Sequence, residues 1–145
     1  MKFVLDASVA LSWLLNDVTS ENEDYVLGVL RHLRTKDCTA IVPVTWYLEI
    51  VNVIAKVEAR GQHPGLRSDP FLNFLTRAPI AVDPLTAMHA PLGTLSLARQ
   101  HGLSAYDASY LELALRINAP IATLDKELRT KALKAGASVL AAHSD

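Results

Sequence analysis

A single α/β domain, with a mainly parallel five-stranded sheet flanked by helices on both faces, is the fold this sequence predicts. Three observations predict it. Short β-type runs alternate along the chain with longer segments of helical period, the pattern of strands joined by crossover helices. A chain of 145 residues, 50% of them hydrophobic, suits one domain with a sizeable core. At this size folding buries roughly 68–70% of the surface that the unfolded chain exposes. No internal repeat, low-complexity segment or composition break divides the chain, so residues 1–145 are expected to form one unit.

The β-type runs fall at residues 2–5, 39–44, 79–82, 120–124 and 138–141. A second apolar run, Val9-Ala10-Leu11, follows the first of them, and residues 16–23 are polar and read as a connection. EDYVLGVLRHLRT then carries acids at its start and Arg31, His32 and Arg34 at its end, as a helix dipole favours. WYLEIVNVIAKVEAR is a helix that stops at Gly61, a residue suited to the C-cap. GQHPGLRSDP, residues 61–70, has the turn formers of a loop, with a short helix expected over 71–75. Helical segments are expected over 85–101, 105–118 and 125–135.

The totals exclude several classes of function. Cys38 is the one cysteine, so an internal disulfide and a cysteine-based zinc site are ruled out, and a reducing cytoplasm is the expected compartment. Asp6 interrupts the N-terminal apolar stretch, which argues against a signal peptide. Pro43, Glu49 and Asn52 interrupt residues 41–55, which therefore fall short of the roughly 20 apolar residues of a membrane span. A net charge of −1 supplies no general polycation for nucleic acid. The histidines at 32, 63, 89, 101 and 143 show no metal-ligand spacing and are expected on the surface or in loops.

The acids carry more information. In a doubly wound sheet, ligands bind beyond the carboxyl ends of the strands, where strand order reverses. Asp6 ends the first strand and Asp125 the fourth, and Asp107 lies in the first turn of the helix before the fourth strand. Each also suits helix capping, and Ser104 with Asp107 has capping-box spacing. Glu49 lies on a helix that is apolar almost all round. At about 100° per residue, Thr45, Glu49, Asn52 and Lys56 collapse onto a stripe some 60° wide. Both a solvated outer face and a polar site lining account for that stripe. Glu112 lies about 140° round its helix from Asp107 and pairs with Arg116 at i,i+4, so it is set aside.

Taken together, VLDASVAL around Asp6, LEIVNVI with Glu49 and Asn52, HGLSAYDASYLELAL around Asp107, and IATLDKELRTKALKAG around Asp125 resemble a PIN-domain ribonuclease of the VapC toxin type. The likeness extends over nearly the whole length, and residues 62–70, with His63, Pro64 and Asp69, depart from it most. The resemblance implies a single PIN-like domain and metal-dependent RNA cleavage leaving a 5′-phosphate and a 3′-hydroxyl. It implies Asp6 and Asp107 as main metal ligands, Glu49 as ligand or water-positioning group, and Asp125 as an outer ligand. It also implies a homodimer and a small antitoxin whose tail occupies the active-site groove.

The chemistry agrees with that expectation. Four converging carboxylates repel one another and require protons or a cation, and an all-oxygen set suits Mg²⁺ or Mn²⁺. Ser8, Asn52 and Thr123 are expected to support the site, Asn52 by orienting Glu49 and Thr123 from the strand before Asp125, with helix N-terminal capping an equal alternative for Ser8. Setting aside the four acids leaves 11 acids against 14 bases. Arg99, Arg116, Lys126, Arg129, Lys131 and Lys134 are then candidates for a modest phosphate rim, with ordinary solvation and helix-end compensation the favoured account of most of them. Trp13, Trp46 and Tyr47 suit either partner contacts or the core. The competing readings are a catalytically silent PIN fold and a receiver-like interaction module. The latter lacks here the paired acids after the first strand and the lysine after the last. An aspartyl-nucleophile phosphatase would need a second acid two residues beyond Asp6, where Ser8 stands.

Overall fold

The structure is a computed structural model of the chain, and residues 1–142 are described. His143 lies outside them. A parallel sheet is built from β1 (Lys2–Leu5), β2 (Thr39–Val42), β3 (Ile80–Val82) and β4 (Ile121–Ala122), in the order β3-β2-β1-β4. Successive strand residues point to opposite faces, and Phe3, Val4 and Leu5 are all wholly buried, so helices cover both faces at β1. Four strands stand where five were expected among the described residues. The run at 138–141 contributes one parallel bridge, Val139 to Ile121, because β4 is only two residues long and offers no further ladder.

The helices are α1 (Ala7–Leu15), α2 (Ser20–Leu33), α3 (Trp46–Arg60), α4 (Ser68–Arg77), α5 (Thr86–His89), α6 (Leu95–His101), α7 (Ala105–Ile117) and α8 (Lys126–Lys134). Left-handed residues end several of them, Asn16 and Asn118 at φ near 50° and Gly61 at φ 64°. The helix expected over 85–101 is broken by a π turn at Ala90–Thr94. Pro91 has no N–H to donate and its ring crowds the preceding turn, so the chain widens there instead of continuing as an α-helix. Another departure concerns α3. It buries Trp46, Ile50 and Ile54, while Leu48 is 67% and Val51 41% exposed, so its apolar residues do not all enter the core. Trp46 is wholly buried against the edge of Tyr47, and Trp13 donates from Nε1 to the Val26 carbonyl at 2.8 Å. Core packing is thus the role the fold assigns to Trp46.

Acids that the sequence reading left outside the site form a separate cluster. Arg116 on α7 donates to both carboxyl oxygens of Asp83, just after β3, at 3.2 and 2.6 Å, and to Glu112 at 2.7 Å. Thr86 Oγ1 also donates to Asp83. Although burial disfavours its charge, these donors hold the Asp83 carboxyl below the usual carboxylate range. The Glu112–Arg116 pair is as expected, and Asp83 is an addition to it.

Gly28, in the middle of α2, faces the backbone of Ala142. A Cβ there would collide with the Ala142 carbonyl, so only glycine lets the C-terminal segment lie against the helix. Gly28→Ala is therefore expected to lower stability by about 1–3 kcal/mol, the cost of overpacking, despite the better helix propensity of alanine. Urea denaturation checks this, and an unchanged or raised midpoint would show that the contact is dispensable.

Candidate active site

The strand order reverses at β1, with β2 on one side and β4 on the other, so the crevice lies between the carboxyl ends of β1 and β4. Asp6 stands at the end of β1, its N–H donating to the Ala122 carbonyl at 2.9 Å. It occupies the N-cap position of α1, yet its side chain caps nothing. Instead its Oδ2 accepts from Thr123 Oγ1 at 2.6 Å and from Ser8 Oγ at 2.7 Å. The Thr123 hydroxyl in turn accepts from the Asp125 N–H at 3.0 Å, and Ser8 Oγ accepts from the Leu124 N–H at 3.2 Å. Two short-range hydroxyls thus fasten the turn after β1 to the turn after β4.

Capping does account for part of the other two acids. Asp125 Oδ1 accepts from the N–H groups of Glu127 and Leu128 at the start of α8. Ser104 Oγ accepts from the Asp107 N–H at 3.1 Å at the start of α7. Glu49, one turn into α3, accepts at Oε2 from the Tyr110 hydroxyl at 3.1 Å and at Oε1 from Thr45 Oγ1 at 3.4 Å. Asn52 is exposed on the same groove wall, and the donors that hold Glu49 are Tyr110 and Thr45, not Asn52 as expected. The spacing of a buried tyrosine three residues after Asp107 was the available signal for Tyr110, but it is indistinguishable from a core position in the apolar face of α7.

Electrostatics join these residues. Burial pushes the Asp6 carboxyl up, its two hydroxyl donors oppose the shift, and the Asp107 charge adds to it. Burial, with the charges of Asp6 and Asp107, pushes Glu49 up to about 7. Asp107 is also raised, first by burial and then by the charges of Asp125 and Glu127, with Lys131 opposing. The Tyr110 hydroxyl is raised by burial and by Asp6 and Glu49, and so stays protonated as a donor. The charges of Asp6 and Asp107 thus act on Glu49 and that of Asp107 on Asp6, while Asp125 acts on Asp107.

Among the described residues, no three His, Cys, Asp or Glu side chains gather closely enough to enclose a metal ion by themselves. Mg²⁺, however, keeps several waters and is usually held through one or two carboxylates. The all-oxygen donor set, with no ion pair to Asp6 or Glu49 among the described residues, has the chemistry of a site for a hard hydrated cation. A groove of about 800 Å³, lined by Thr45, Leu48, Glu49, Val51, Asn52, Ala55 and Tyr106, runs past Glu49. The loop at 62–70 lies elsewhere, bordering a cleft of about 640 Å³ with Trp13, Arg34 and Phe74. Of the six basic rim candidates, Arg116 is committed to Asp83 and Glu112, and Lys131 to Glu127 and the Gly102 carbonyl. Arg129 donates to the Thr123 carbonyl and lies over the Tyr25 ring. Arg99, Lys126 and Lys134 are exposed.

A family model of the PIN domain matches residues 3–134. The chain is 30% identical over 135 residues to Ribonuclease VapC3 of Pyrobaculum aerophilum, covering 90% of this chain and 95% of that one. Its fold is similar to that of PAE2754 from Pyrobaculum aerophilum, with a TM-score of 0.62 and 21% identity over 90% of this chain and 84% of that one. It is also similar to VapBC2 from Rickettsia felis bound to a DNA fragment from their promoter, with a TM-score of 0.58 and 18% identity over 90% and 92% of the two chains. FitAcB from Neisseria gonorrhoeae gives a TM-score of 0.54 and 20% identity over 97% of each.

The raised carboxyls make stability depend on pH in a defined direction. Between the usual 4.5 of a glutamate and about 7, folded Glu49 holds a proton that the unfolded chain releases, so the folded state is favoured at the acid end of that window. Without divalent ions, Tm is expected to fall as pH rises from 5 to 8, and Glu49→Gln is expected to flatten the profile. Calorimetric scans in chelator read this out, and a Tm that rises across the window would show that Glu49 does not hold the proton.

Proposed function

Since the chain belongs to the PIN-domain family, we propose that it is a metal-dependent endoribonuclease and the toxin half of a toxin–antitoxin pair. One observation carries the reading: Asp6, Glu49 and Asp107 are linked through one another's charges, with Asp125 acting on Asp107, and they are held by hydroxyls and backbone amides more than by cations. Such a set attracts a hard divalent ion. A merely structural acid cluster resembles Asp83 and Glu112, where a guanidinium supplies the opposite charge. The 30% identity to a protein named as a ribonuclease supports the activity.

Asp6 and Asp107 are the residues that would hold Mg²⁺ or Mn²⁺, with Asp125 as an outer ligand through the carboxylate oxygen that does not cap α8. When bound, the ion supplies positive charge that polarises the scissile phosphodiester and stabilises the charge developing during in-line displacement. Ser8 and Thr123 fix the Asp6 carboxylate through its Oδ2. Glu49, with its proton affinity near neutrality, orients the attacking water and accepts its proton at Oε1, whose one donor is the distant Thr45 hydroxyl. The water oxygen bonds to phosphorus as the bond to the 3′ oxygen breaks. The 3′ oxygen takes a proton from solvent, leaving a 5′-phosphate and a 3′-hydroxyl. Lys126, exposed at the start of α8 beside Asp125, supplies a phosphate contact.

The antitoxin assignment draws support from VapBC2, a solved complex of the same fold. A homodimer is proposed with it. Among the described residues, no helix is long and apolar enough to cross a membrane.

Purified protein incubated with transfer, ribosomal and messenger RNA is expected to cleave at least one of them in Mg²⁺ or Mn²⁺ and none in chelator, with 5′-phosphate ends on the products. Asp6→Asn is expected to reduce cleavage to background with Tm unchanged or raised, because it removes a buried charge and keeps the side-chain size. Cleavage by Asp6→Asn at the wild-type rate, or cleavage in chelator, would overturn the metal-ligand role.

A further inference from the structure

Tyr110 belongs to no part of the site read from the sequence, yet its hydroxyl touches two elements that carry site residues. It lies on α7, one turn after Asp107, and is wholly buried. Its oxygen accepts from the Ala7 N–H, the first amide of α1 after Asp6, at 3.3 Å, and donates to Glu49 Oε2 on α3 at 3.1 Å. One oxygen atom therefore connects α7, the turn after β1 and α3. It does so with the hydrogen-bond roles a phenol has to offer, one donated and one accepted.

Resting on the nuclease reading above, we propose that Tyr110 is a positioning residue that sets the distance between Glu49 and Asp6. Without the hydroxyl, Glu49 keeps only the 3.4 Å contact from Thr45, the N-cap residue of its own helix, which cannot orient it relative to β1. The Ala7 N–H is the backbone anchor next to Asp6, so the same atom references both carboxylates to one point. Donation at Oε2 also leaves Oε1 with the 3.4 Å Thr45 contact alone. Partners one step removed from a metal typically alter affinity or activity about 10–100-fold when lost, and a role of that size is expected here.

Tyr110→Phe removes one oxygen and keeps the ring that fills the core. Tyr47→Phe is the control: it removes a hydroxyl from α3 that donates to the Leu75 carbonyl at 3.4 Å, away from the acids. For wild type and both variants, Mn²⁺ affinity is measured by calorimetry, kcat and KM on a cleaved RNA, and Tm by circular dichroism. Tyr110→Phe is expected to weaken Mn²⁺ binding and lower kcat by about ten-fold or more with KM for RNA within about two-fold. Tyr47→Phe is expected to match wild type in all three. A Tyr110→Phe protein with lowered Tm but unchanged Mn²⁺ affinity and kcat would assign the hydroxyl a purely structural role and overturn the proposal. If wild type binds Mn²⁺ but cuts no RNA, the nuclease reading fails and the affinity comparison alone decides the positioning role. If wild type binds no Mn²⁺, the positioning proposal fails with its premise.

Discussion

The Thr123 hydroxyl, wholly buried, donates to Asp6 Oδ2 and accepts from the Asp125 N–H. The rest of the site depends on this junction. A carboxylate only 7% exposed needs hydrogen-bond donors to remain folded into the crevice. Here the donors are neutral hydroxyls, so the charge is held in place without being cancelled. The same contact ties the ends of β1 and β4 together where strand order reverses, and β4 has only two residues of ladder to do so by itself.

The molecule contains a second group of buried acids, and the contrast between the two is informative. Asp83 and Glu112 share Arg116, which reaches both from α7 and fixes that helix to the turn after β3. Removing one partner of such a group leaves an unpaired buried charge, so its members serve the fold. Asp6, Glu49 and Asp107 have raised proton affinities instead, because burial disfavours their charges and the neighbouring acids add to it. α7 takes part in both groups, carrying Asp107 and Tyr110 near its start and Glu112 and Arg116 near its end.

Alternation of apolar runs made the parallel sheet legible, and Asp6 and Asp125 were legible as acids at strand ends. What sequence patterning missed has local physical causes. The run at 138–141 has strand character, but pairing needs a neighbour, and β4 supplies one bridge. The helical period over 85–101 is real on either side of Pro91, whose missing N–H and crowding ring interrupt it. On α3, composition suggested burial all round, whereas Leu48 and Val51 remain on the groove side with Glu49. Tyr110 and Asp83 were illegible for another reason. Each acts through a partner far away in sequence, 61 residues for Tyr110 with Glu49 and 33 for Asp83 with Arg116, which periodicity does not report.

Asp125 differs from the other three acids in having a helix start of its own. With Oδ1 given to the amides of Glu127 and Leu128, it sits against the positive end of α8, equivalent to roughly half an elementary charge. The fold has thereby graded its acids: Asp125 is partly satisfied by two backbone amides, whereas Asp6, Glu49 and Asp107 have raised proton affinities. If the site takes a cation as proposed, that ion would meet an asymmetric bowl, with less unanswered charge at the α8 rim than at Asp6 and Asp107.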